Sequence, residues 1–133
     1  MFDVLDMGAS GLQAQRVRMD TIAANILNIN TTRNEKGEKV PFRRRLVTMA
    51  AGMAANRNKP GVHAQIEIDK TPFRKQYEPG HPDADANGYV RYPNIDLAIE
   101  QVNAMEASRA YEANVTMMEV TKAMLNSTLR LIA

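Results

Sequence analysis

Two long apolar-periodic segments occupy the ends of this 133-residue chain, and a chain organised that way cannot wrap itself into a compact private core. The first runs from about residue 3 to residue 30, with Leu5, Leu12, Met19 and Ile26 at seven-residue intervals and Ile22 and Ile29 filling in. The second runs from about residue 95 to residue 133. Its stripe is Leu97, Ala104, Tyr111, Met118, Leu125 and Ile132, flanked by Val115 and Leu129. As a helix of roughly 37 residues it is ~55 Å long at about 1.5 Å per residue. A compact globule of the same length has a radius of gyration near ~14 Å and a diameter of about 36 Å. The expected molecule is a rod with something small attached.

The expected fold class is therefore mainly α with a small β insert. Long N- and C-terminal helices pack as an antiparallel coiled coil, with a short β-hairpin or small sheet between them. Residues 1–33 form the N-terminal helix, 34–93 a β-rich and loop insert, and 94–133 the C-terminal helix. A two-helix pair buries one seam only. Val17, Val102, Met105, Met117, Val120, Met124 and Leu131 lie off that seam, so the helices need further neighbours and polymeric packing is expected.

The middle of the chain changes character. Residues 31–41 are a polar, Gly-containing connector, and Pro41 stops any helical continuation. Residues 42–49 read as a short strand behind Arg43, Arg44 and Arg45. Val62, Ala64, Ile66 and Ile68 alternate with His63, Gln65, Glu67 and Asp69, which is the clearest strand pattern in the chain and predicts a half-exposed sheet with His63 on the solvated face. Residues 50–61 end in Pro60-Gly61 and read as a loop, and 78–88 are a dense run of turn formers. Asn94 after Pro93 is a good N-cap, with Asp96 and Glu100 placing negative charge in the first turns, so the last helix is expected to start at Ile95. Two readings of the first helix stand. It begins near Asp3 and uses Gly8 and Gly11 for close approach of another helix, or it begins near Gly11, since each interior glycine costs about 1 kcal/mol.

Composition narrows the function classes. Aromatics are 5% of the chain with no Trp, against 44% hydrophobic residues overall, so the apolar surface is aliphatic and Met-rich, which suits helix seams. Seventeen basic residues against fifteen acidic give a net charge of +2, too small to point to nucleic acid even with Arg33, Lys39 and Arg43–Arg45 near one another. Cysteine is absent, which removes disulfides and thiol chemistry. His81, Asp83 and Asp85 open like a calcium loop, but the Gly and terminal Glu of such a loop are not at the required spacing and Pro82 restricts the backbone; a structured turn is expected there, with no metal and no cofactor. No nucleophile beside a base, phosphate loop or convergent acid pair stands out, so no catalytic residue is nominated and an enzyme is not expected. No stretch approaches a membrane span, and the N-terminus lacks the basic flank and apolar block of a cleaved signal, so direct membrane insertion is not expected and any export is expected to use another route.

Several ordered motifs carry a family resemblance. Asn25-Ile26-Leu27-Asn28 followed by Thr31-Thr32-Arg33 resembles the signature near the N-terminus of bacterial flagellar rod and hook proteins, and Arg109-Ala110-Tyr111-Glu112-Ala113-Asn114 resembles the signature in their C-terminal helix. Pro41-Phe42-Arg43-Arg44, Tyr77-Glu78-Pro79-Gly80-His81-Pro82-Asp83-Ala84 and Gly88-Tyr89-Val90, with Tyr92-Pro93-Asn94, are together similar to the proximal rod members of that family. Leu27 and Ile29 depart from the small residues usual there. The resemblance implies a structural subunit of the flagellar basal-body rod that polymerises helically, lines an inner tube with its terminal helices and catalyses nothing. It implies passage through the flagellar type III export apparatus, and as partners other copies, neighbouring rod proteins and the region where the MS ring meets the export gate. The residues expected at assembly contacts are Leu5, Leu12, Met19, Ile22, Asn25, Ile26, Asn28, Thr31 and Thr32 in the first third. In the last helix they are Arg109, Tyr111, Asn114, Val115, Met118, Leu125, Leu129 and Ile132. A soluble helical adaptor that takes a partner helix in its Met-lined groove is the alternative.

Overall fold

The computed structural model describes residues 2–133. Six elements follow in order: helix α1 (Phe2–Leu27), strands β1 (Arg45–Ala51), β2 (Val62–Ile68), β3 (Arg74–Tyr77) and β4 (Tyr89–Tyr92), and helix α2 (Leu97–Ile132). The strands form two separate antiparallel ribbons, β1 with β2 and β3 with β4. At 36 residues α2 is about 54 Å long, and α1, at 26 residues, about 39 Å.

The helices pack antiparallel. Gly8 meets Met118, Gly11 meets Asn114, Arg18 reaches Glu106 and Asn25 reaches Glu100, so each step along α1 is answered by a step back along α2. The early glycines make this approach possible and do not interrupt the helix. A Cβ at Gly8 would stand 2.8 Å from Met118 Cγ, and one at Gly11 3.1 Å from Asn114 Nδ2. Of the two readings of the first helix, the close-approach one holds. Because α2 is longer, its last turns run past the start of α1, and Leu129, Leu131 and Ile132 remain 62, 88 and 78% exposed.

Asp96 caps α2, its side chain accepting from the Ala98 N–H at 3.0 Å. This corrects the expected start at Ile95 with Asn94 as cap: the Asn94 side chain instead accepts from the Arg44 N–H and donates to Thr71, tying the insert to the foot of α2. A local rule finds a competent cap, but a tertiary partner has claimed it.

The insert also departs from its sequence pattern. Alternation predicted that Val62, Ile66 and Ile68 would face the core and His63 the solvent. In the structure those three are 37, 55 and 60% exposed, and His63 is buried. The β1–β2 ribbon has α1 to lie on, and α1 is tied to diagonally opposite corners of it: Ser10 Oγ accepts from the Val62 N–H at one end of β2, and Asn25 binds Arg45 at the other end of β1. His63 is enclosed by its own loop, its Nδ1–H donating to the Gly52 carbonyl at 2.8 Å and its Nε2 accepting from Arg57 at 2.6 Å. That loop needs glycine at 52, where φ is +98° and a Cβ would overlap the Arg57 carbonyl. The β3–β4 ribbon, which the pattern did not announce, turns Val90 and Tyr92 inward beside Pro93 and Ile95.

Candidate functional site

A polar knot fastens the insert to the helix pair. Asn25, with no exposed surface, treats Arg45 as a strand would: its Oδ1 accepts from the Arg45 N–H at 3.0 Å and its Nδ2 donates to the Arg45 carbonyl at 2.9 Å, with a longer contact to Glu100. Glu100 is fully buried and takes the Nε–H of Arg44, whose Nη1 also reaches Asp69 at 3.3 Å. Burial works against the Arg44 charge, but the bonds to Glu100 and Asp69 outweigh it and raise its pKa. Helices α1 and α2, the start of β1 and the residue after β2 therefore meet on one polar network. A buried charge is tolerated only when paired, so this knot fixes where the insert sits relative to the helices.

Neither Glu100 nor Arg44 was singled out from sequence as part of such a knot. The signal was present: Glu100 falls between Leu97 and Ala104 within the apolar stripe of α2, and Asn25 interrupts the stripe of α1 between Ile22 and Ile26. A carboxylate on a seam needs a cation brought to it.

The signature residues near Asn25 also work within the chain. Asn28 donates to the Ala24 carbonyl at 2.8 Å as α1 ends, Thr31 bonds Asn28 at 3.1 Å, and the Thr31 carbonyl accepts from the Phe42 N–H at 3.1 Å, folding the connector back. Thr32 and Arg33 both grip Asp83, at 2.5 and 2.6 Å. Asp83 is thus committed to the connector, and Asp85 accepts from the Asn87 and Tyr89 N–H groups. The residues that opened like a calcium loop serve as turn anchors.

Those anchors carry a pH signature. Hydrogen bonds from Arg33 and then Thr32 hold Asp83 below its ordinary value of 3.8, and the Thr71 N–H, followed by Arg44, does the same for Asp69. A carboxyl depressed on folding contributes stability that is complete above its unfolded value and fades as the pH falls through the folded one. Asp83 and Asp69 should therefore contribute fully to thermal stability from neutral pH to about 4 and lose that contribution below the 3.8 reference, and Asp83→Asn should flatten this part of the profile. An unchanged profile in that variant would remove Asp83 from the account.

A groove of about 370 Å³ between α1 and the β1–β2 ribbon is lined by Asp6, Ser10 and His63 among smaller apolar residues, the residue types of a hydrolase triad. The serine and the imidazole are otherwise engaged. The Ser10 hydroxyl donates to the Met7 carbonyl and accepts from Val62, and both His63 nitrogens are spent on Gly52 and Arg57.

The remaining nominated residues fall into three groups. Ile22 is buried within the chain, and Leu5, Leu12, Met19, Ile26, Tyr111, Asn114, Val115, Met118 and Leu125 are half-buried on the two helices, where Tyr111 lines a groove with Leu12, Arg16 and Asp20. Arg109 is exposed, and Leu129 and Ile132 stand on the overhang. The apolar face left uncovered among the described residues is a different stripe of α2. Ile99, Val102, Met117, Val120, Met124 and Leu131 recur at helical spacing on one side and are 53, 63, 62, 54, 65 and 88% exposed. Six large aliphatic side chains in one line on a single helix mark a contact surface.

Comparison with known proteins agrees with this geometry. The family model described as "Flagella basal body rod protein" matches residues 5–33, and "Flagellar basal body rod FlgEFG protein C-terminal" matches residues 86–131. Among curated relatives, the flagellar basal-body rod protein FlgC of Bacillus subtilis is 40% identical over 98% of this chain and 97% of that protein. The FlgC protein of Borreliella burgdorferi is 37% identical over 99% of the chain and 97% of its own length, and that of Salmonella typhimurium 36% over 98% and 97%.

Proposed function

Because the chain belongs to the flagellar basal-body rod protein family, we propose that it is the subunit of the proximal part of the rod, packing side by side with other rod subunits through the outward stripe of α2 and the overhanging end of that helix. As a member of the family it is a structural protein of the basal body and not an enzyme. The observation that carries the finer reading is the stripe from Ile99 to Leu131, a second apolar face of α2 on the side away from α1. In the assembled rod, α1 and α2 form a coiled-coil layer with their neighbours around an inner tube and the two ribbons face outward. The rod crosses the periplasm, transmits torque and encloses part of the export channel, through which its subunits arrive by way of the flagellar type III apparatus.

Such contacts are heterologous, one surface meeting a different surface on the next copy, and an array of that kind grows as a filament because it does not close on itself. Torque is then shared among many modest helix contacts. Leu125 on the seam, Leu129 and Ile132 on the overhang and the region where the MS ring meets the export gate belong to this reading as proposed contacts.

Basal bodies purified from cells carrying a tagged chain test it. The protein should co-sediment with the rod and ring fraction, and cells lacking it should hold rings without a rod. A chain found only in the soluble fraction of swimming cells would favour the adaptor reading and overturn this one.

A further inference from the structure

The charges of the chain are sorted by region. Residues 33–92 hold twelve Arg and Lys against seven Asp and Glu, while the remainder of the chain holds five against eight. Within the insert the excess gathers on the solvent side of the β3–β4 ribbon. Lys75 and Arg91 are directly opposed across the strands, like charges on one face, with Tyr77 and Tyr89 beside them in edge contact at 5.2 Å. Arg91 also shares the Phe73 ring with Arg43, the two guanidiniums lying 5.6 and 4.2 Å from its centre. Among the described residues, no carboxylate stands in ion-pair range of Arg43, Lys75 or Arg91.

These side chains are not free in solvent. Arg43 donates to the Asp69 and Thr71 carbonyls and Arg91 to the Lys39 carbonyl, which holds both guanidiniums over the ring. Like charges opposed across a ribbon cost free energy, and here Arg91 is held in place opposite Lys75, with two tyrosines presented alongside. Tyr and Arg at a rigid surface are the composition of the energetic centre of protein interfaces.

Resting on the assembly reading above, we propose that this face of the β3–β4 ribbon docks on α2 of a second copy, its cations meeting Glu112 and Glu119. Those two glutamates are exposed, carry no ion pair among the described residues, and lie seven residues apart on the same side of the helix, about 10 Å along its axis. The occupant is a second copy because the charge complement is within the chain itself: the cation-rich surface is on the insert and the two exposed carboxylates share one side of α2. The tyrosine rings pack on the helix beside the two glutamates, leaving the apolar stripe to the neighbouring helices, while the charges set register, and the contact is head-to-tail, as an open array requires.

The test uses the whole chain in its own cells. Lys75→Glu places a carboxylate opposite Arg91 and pairs it internally, so the purified variant should unfold at the same or a higher temperature than wild type. Its incorporation into basal bodies should nevertheless fall at least about tenfold, because the docking face has been neutralised. Reversal with Lys75→Glu and Arg91→Glu should abolish incorporation, as should Glu112→Lys with Glu119→Lys, and the four substitutions together should restore it. Normal incorporation of Lys75→Glu would overturn the docking while leaving the rod assignment intact. Loss without rescue by the four-residue swap would place the carboxylates on another protein and overturn the self-contact. Absence of the wild-type chain from basal bodies would remove the reading on which the contact rests, and the contact with it.

Discussion

Replacing Arg44 with alanine is expected to cost the isolated protein about 3–5 kcal/mol, the largest loss of any single substitution in the insert. The reason is what the change leaves behind. Glu100 has no exposed surface, and with the guanidinium gone its remaining polar contact is the 3.4 Å approach of Asn25 Nδ2. Asp69 would lose the same cation, and the Arg44 N–H would still hold Asn94, so the backbone stays while the charge is stranded. Urea unfolding followed by circular dichroism measures the loss. The diagnostic companion is Arg44→Met with Glu100→Met. If the damage comes from a stranded charge, the double variant, which removes both charges and keeps apolar volume, should recover most of the stability. If single and double variants are equally unstable, the pair was holding geometry through its bonds and the desolvation account fails. In cells Arg44→Ala should remove swimming indirectly, through an insert no longer fixed to α2.

Met117→Asp with Val120→Asp is expected to do the opposite, sparing the subunit and removing the assembly. Both residues are more than half exposed on the uncovered stripe, so the folded monomer loses almost no buried area, and two exposed helix substitutions should cost below about 2 kcal/mol together, mostly helix propensity. In a packed array the same two carboxylates would be desolvated without partners, at roughly 1–3 kcal/mol or more for each, repeated in every subunit. The expected result is normal expression, near-normal unfolding temperature and no motility halo. Wild-type swimming would mean that this side of α2 is never covered. A strong fall in unfolding temperature would mean that the stripe is already buried in the free protein by self-association, which sedimentation at two concentrations would reveal.

These two expectations separate what local pattern can and cannot say. Helical periodicity is a local property, since residues three and four apart share a face whatever else the chain does, so the two helices, their apolar stripes and the surplus of apolar residues off the seam were all legible. Turn chemistry is equally local: Pro60-Gly61 and the run from 78 to 88 were read as connectors, and they are. The motifs around Asn25 and Tyr111 were enough to indicate the family.

Burial of a particular side chain is not local. His63 was assigned to solvent by strand alternation and is enclosed because Gly52 and Arg57, on the preceding loop, fold over its ring. Asn94 was taken for a helix cap and was claimed by Arg44, fifty residues earlier in the chain. Gly8 and Gly11 left the start of α1 undecided until Met118 and Asn114 were seen against them. Glu100 has the pattern of a first-turn acid at a helix N-terminus, which it is, and its larger role appears only when β1 delivers Arg44 to it. Which segments are helical, where the chain turns and which helix faces are apolar follow from spacing along the backbone, and spacing is a local quantity. Which of those faces are already occupied, and which charges are paired, follow from contacts between segments whose separation along the chain carries no local signal.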